Sequence, residues 1–180
     1  CAAAWRSAPS FSPGSVPGQT ASPLNTEMIV PIEKISVPEH YGWVGGVEDW
    51  AGDAYWFDKT RFFSEWSSDG ILYAYPEITE NFWGVINHDN EEGVLRISDN
   101  EVTSGLKFWT WGADSVNRDP DSPSASRPYI ELWAGHSDQF FNAAYIGPNE
   151  VKAWTETYIP TVGLDGISGA SEAGAAKMDY

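Results

Sequence analysis

Residues 82–98, FWGVINHDNEEGVLRIS, decide the fold. Two short apolar runs rich in Val, Ile, Phe and Trp flank a polar connection, His88 to Gly93, made of Asp, Asn, Glu and Gly. β-branched and aromatic side chains suit a pleated, half-buried surface, and turn residues between two such runs make a hairpin. The spacing predicts antiparallel strands over Asn81–His88 and Gly93–Ser98. Neither run shows a helical period.

The same signature recurs on both sides. Strands are predicted at Ile71–Tyr75, Leu106–Trp111, Tyr129–Ala134 and Val151–Ile159, each bounded by Gly, Pro, Asn or Asp. Upstream, the MIVPIEKISV stretch within Asn25–Pro38 predicts one or two short strands, with Pro31 pushing them to a sheet edge because it has no N–H to give a ladder. Residues 41–68 depart from the pattern. Trp and Tyr are interleaved there with Gly and Asp, which predicts a long ordered loop with a short helix near Lys59–Trp66. Asp119–Pro128 reads as an exposed loop. The expected fold class is therefore all-β, an antiparallel sandwich. Residues 1–24, rich in Ser, Pro, Gly and Ala, read as a linker or extended arm, and residues 25–160 as the sandwich domain. Residues 161–180, with small side chains and little to bury, read as a tail or the start of a further module.

Composition narrows the function. Asp and Glu number 26 against 10 Lys and Arg, for a formal charge of −16. So negative a surface repels phosphate backbones, which argues against nucleic acid as a partner. The 10 Trp, 8 Tyr and 8 Phe argue against disorder. They read first as core, yet so many make a solvent-facing aromatic platform, on which sugar rings stack, an expectation too. The single cysteine, Cys1, excludes an internal disulfide and a cysteine zinc site. Followed by three Ala and a Ser/Pro/Gly-rich stretch, it has the form of a mature lipoprotein terminus with a lipid anchor, or of an arbitrary start in a longer chain. No apolar run reaches the length of a membrane span.

Three runs, FWGVINHD from Phe82, EGVLRISD from Glu92 and GLKFWTWG from Gly105, are followed by RPYIELWAG from Arg127 and WTETYIP from Trp154. In this order they resemble a large bacterial family of secreted sandwich domains in the galactose-mutarotase-like (aldose 1-epimerase-like) supersandwich class. The resemblance runs roughly from Tyr73 to Pro160. It implies an antiparallel supersandwich with a sugar-sized groove, of which this chain is an incomplete segment completed by further domains of the same protein or by a homo-oligomer. It also implies an extracellular or periplasmic location and carbohydrate as the partner; no cofactor is expected. Aldose 1-epimerases use a glutamate base and a histidine acid; Glu131 is the position that carries over as a candidate base.

Residue chemistry adds to this. Tyr129, Glu131 and Trp133 alternate along a predicted strand and share one face, while Ile130 and Leu132 share the other. An aromatic–carboxylate–aromatic face suits a sugar, and equally describes an ordinary exposed sheet face. Lys107, Trp109 and Trp111 share a face in the same way: as ligand-binding residues beside Glu131, or as core aromatics with Lys107 running past them. His88 beside Asp89 reads as an acid/base pair or as turn hydrogen bonds. Asp89, Glu91 and Glu92 have no calcium-loop spacing, and no metal site is expected. The catalytic candidates are thus His88 and Glu131, and the ligand-binding candidates Lys107, Trp109, Trp111, Tyr129 and Trp133. The expected function is carbohydrate binding; the alternatives are a structural subunit of an extracellular assembly and a sugar-active enzyme using Glu131 and His88.

Overall fold

The structure is a computed structural model and describes residues 10–11, 22–37, 52–56, 61–66, 70–74, 78–110, 130–137 and 144–178. These are organised as antiparallel strands. The larger sheet contains β1 (Ser10–Phe11), β3 (Lys34–Val37), β4 (Gly52–Tyr55), β5 (Gly70–Ala74), β8 (Leu106–Thr110) and β9 (Ile130–Trp133), in the order β1-β9-β8-β5-β3-β4. The second sheet contains β2 (Thr26–Ile29), β6 (Phe82–Asn87), β7 (Glu92–Ile97) and β10 (Thr157–Val162), in the order β10-β7-β6-β2. A small hairpin follows, β11 (Gly169–Ser171) with β12 (Gly174–Ala176).

Register explains which residues meet. Leu72 pairs with Phe108 and Phe108 with Leu132, so these buried side chains line one face of the larger sheet, together with Ile35 and Leu106. In the second sheet Met28 pairs with Val85 and Val85 with Val94, on the face shared with Trp83. The two faces pack together: Trp83 meets Phe108 edge-on, ring centroids 4.9 Å apart at 77°. That edge-to-face contact is a favoured aromatic geometry and joins the two layers of a sandwich. Trp56, Phe63 and Trp66 fill the same core, so these aromatics of the 41–68 stretch are packing residues.

The second sheet is buried on both sides. Its other face carries Ile29, Phe82, Ile86, Leu95 and Ile97, and Ile159, Leu164, Ile167, Ala170 and Ala175 pack over it. Every residue of β6 is buried in consequence, which accounts for a run that is almost continuously apolar rather than alternating.

Several expectations require correction. Pro31 does separate two short strands, and β2 lies at a sheet edge, but β3 is an inner strand of the larger sheet. The helix expected near Lys59–Trp66 is, in its described part, one 3-10 turn at Phe63–Glu65, closed by the Glu65 carboxylate accepting from the Phe62 N–H at 2.8 Å. The strand expected over Val151–Ile159 starts at Thr157 and runs to Val162. Beyond the expected sandwich span, β1 adds an edge strand to this chain's own sheet, and Leu164, Ile167, Ala170 and Ala175 pack over the second sheet. The small side chains that made the tail look unable to bury anything are what let a short hairpin lie close on that surface.

Candidate functional site

His88 follows β6, on the side of the second sheet that carries Glu27 and Ile86. Its Nε2 lies 2.8 Å from Glu27 Oε2 and its Nδ1 lies 2.9 Å from Asp165 Oδ1. The chain of charges continues at both ends. Arg61 pairs with the other oxygen of Glu27, and Lys177 Nζ lies 3.3 Å from Asp165 Oδ2. The Phe62 ring lies 5.6 Å from the imidazole. Glu27 is buried, which a carboxylate tolerates only when paired and hydrogen-bonded. Burial by itself lowers the basicity of His88. The hydrogen bonds with Asp165 and Glu27, and then their charges, outweigh it and hold the imidazole above its ordinary pKa of 6.5. Asp165 is held below 3.8, first by the His88 hydrogen bond and then by Lys177.

His88 beside Asp89 reads as an acid/base pair or as turn hydrogen bonds, and the side-chain bonds of these two residues join neither to the other. Asp89 instead accepts from the Ser22 N–H and from Asn25 Nδ2, both at 2.7 Å. These bonds lower its pKa, the Asn25 one most, so Asp89 anchors the chain entering β2. With both ring nitrogens committed to carboxylates, His88 is an electrostatic clamp in this geometry.

Glu131 lies in the larger sheet, on β9, so His88 and Glu131 belong to different sheets and have different partners. Register sets Glu131 opposite Trp109 on β8 and Ser10 on β1, and Trp133 opposite Lys107. Trp133 Nε1 donates to Glu131 Oε2 at 2.5 Å, and both residues are half-buried. Lys107 is buried, and its Nζ donates to the carbonyls of Gly105 at 3.1 Å and Ser137 at 2.6 Å. It ties residues 135–137 to β8. Gly105 makes that approach possible, since a Cβ there would lie 1.7 Å from the Ser137 oxygen. Trp111 and Tyr129 lie outside the described residues, and Trp109 is placed by its backbone alone.

Two features went unread in the sequence. Glu27 lies in an apolar strand, TEMI, where a carboxylate must find a cation; that was the available signal. Asp165 lies 77 residues from His88 and gave none. A second buried centre is Arg96, fully buried 5.8 Å from the Trp83 ring. It donates to Thr103 Oγ1 and to Glu156 Oε1, both at 3.0 Å. Glu156 also accepts from Trp154 and Tyr158. Beside this centre an open cleft of about 1020 Å³ lies between residues 78–81, residues 97–104 and the β11 hairpin. Glu80, Asp99, Glu101 and Glu172 line it, and among the described residues no Lys or Arg does. No group of three or more His, Cys, Asp or Glu among the described residues is placed to hold a metal ion, and no described helix is long and apolar enough to cross a membrane.

No family model matches the chain. Among solved structures it is similar to a TPR-domain containing protein from Parabacteroides distasonis, with a TM-score of 0.55 and 17% identity over 77% of this chain and 23% of that one. The chain thus spans less than a quarter of that protein's length. The likeness is one of fold. TPR repeats are helix pairs, whereas the described residues here are chiefly strands and loops, so the neighbour's title does not describe this chain.

Proposed function

We propose that this chain is an extracytoplasmic carbohydrate-binding sandwich of the galactose-mutarotase-like class, recognising a sugar at Glu131 and Trp133 on β9. The observation that carries this is the half-exposed carboxylate–indole pair, joined by a 2.5 Å hydrogen bond. A carboxylate accepts from vicinal sugar hydroxyls, and an indole fixed by its own N–H offers a pre-oriented face to the sugar's C–H groups. The register opposite Trp109 adds a second aromatic position to the same strand pair. The likeness to a longer protein, at a TM-score of 0.55, is one of fold and bears on no ligand. Catalysis by His88 with Glu131 finds less support, because an acid and a base must converge on one substrate and these two belong to different sheets. A structural-subunit role finds less support in the arm, because β1 pairs with this chain's own β9.

The test is a glycan array read with the whole chain and with Trp133→Ala. A glycan bound by the first and lost by the second supports the reading. Glycan binding that survives Trp133→Ala moves the site elsewhere, and an array with no binder removes the reading.

A further inference from the structure

We propose that residues 163–178 are a strap over the outer face of the second sheet, latched through Arg61–Glu27–His88–Asp165–Lys177, and that loss of the latch proton frees the strap and opens one wall of the 1020 Å³ cleft. This device is separate from the sugar reading at Glu131.

Three observations carry it. First, the strap and the cleft share residues: Ala170, Ser171 and Glu172 belong to the β11 hairpin and line the cleft. Movement of the strap changes the cleft by construction. Second, besides the latch the strap is held by partly buried, mostly small apolar side chains and by a Thr157–Glu172 hydrogen bond at 3.5 Å. Its hairpin strands are three residues each, and an isolated two-stranded hairpin is at best marginal in water. Its own Leu164, Ile167, Ala170 and Ala175 rest on the sheet. Gly163 donates to the Glu91 carbonyl at 3.0 Å. Gly163, Gly166 and Gly174 all have positive φ, so the strap contains residues that rearrange at low cost.

Third, the latch chemistry requires a proton. Both neighbours of the imidazole are carboxylates, which accept and do not donate. The imidazolium donates to both; the neutral ring donates to one and turns a lone pair on the other. Glu27, buried and paired with Arg61, is the fixed side, whereas Asp165 is 62% exposed and is the side that gives way. The charged groups facing His88 are Glu27 from β2, Arg61 preceding the 3-10 turn, and Asp165 with Lys177 from the strap. Asp89, on the adjoining turn, contributes a weaker attraction. Because the imidazole is raised above 6.5, its contribution is complete below that pH and disappears as pH climbs through the raised value. Because Asp165 is lowered below 3.8, its contribution is complete above that pH and disappears as pH falls through the lowered value. The strap is therefore held tightest in mildly acidic solution and loosens on either side.

Hydrogen exchange read by mass spectrometry on the whole chain tests this, at about pH 5.5 and about pH 8.5 with intrinsic rates corrected. Amides of 164–177 should lose protection roughly three- to tenfold at the higher pH, the size of one partly exposed charge-assisted hydrogen bond, while β6 and β7 keep theirs. Asp165→Asn, at an exposed position, should give a strap already loosened at the lower pH and largely insensitive to pH. Equal strap protection at both pH values, or a pH response unchanged in Asp165→Asn, overturns the proposal. Loss of protection shared equally by β6 and β7 also overturns it, since that is global unfolding.

Discussion

Glu91 sits in the β6–β7 turn with φ at 56°, in a region that costs an L side chain energy and glycine little. Glu91→Gly should stabilise the protein by about 0.5–1 kcal/mol, read as a higher midpoint in urea with an unchanged slope. Gly105 is the reverse case: Gly105→Ala places a methyl against the Ser137 carbonyl and should destabilise by about 1–3 kcal/mol in the same assay. These single positions show how far the sequence could be read. His88 stood out as chemically charged with possibility, and it does anchor a network. Its partners, though, come from β2 and from the far end of the chain, joined only by folding. Lys107 reads equally as a groove donor or as a stem running past core aromatics, because alternation gives its face and nothing more. Its actual acceptors, two backbone carbonyls, depend on the path of residues 135–137, which no side-chain pattern encodes.

The strands were legible where hydrophobic runs ended in turn residues. β5, β6, β7, β8 and β9 each lie within a residue or two of the expected spans, because β-branched and aromatic runs and their breakers are local signals. β10 was misplaced because Val151 and Trp154 gave an apolar look to a segment whose polar groups are drawn to the Arg96–Glu156 centre instead. The β11–β12 hairpin was missed because Ala and Gly carry almost no hydrophobic signal, and its burial comes from fitting a surface already made by β6 and β7. Ending the chain after Val162 should uncover Ile29, Phe82, Ile86, Leu95 and Ile97. An apolar patch of that kind promotes association, so the shortened chain should bind a hydrophobic dye and self-associate in light scattering where the whole chain does not.

The molecule as a whole is a sandwich with a second, smaller core on the outer side of one sheet. Trp83 against Phe108 is a contact that joins the two layers of the main core, and Trp83→Ala should cost about 3–5 kcal/mol and lower the midpoint of the whole cooperative transition. This layout leaves Glu131 and Trp133 on the larger sheet, remote in topology from the His88 latch, so the proposed recognition and the proposed latch are separable by mutation. The decisive measurement is a calorimetric titration of the glycan found on the array into the native protein and into Glu131→Gln. If β9 recognises sugar through its carboxylate, the substitution weakens binding by about 1–3 kcal/mol while the unfolding midpoint stays where it was. Equal affinity in the two proteins contradicts the account.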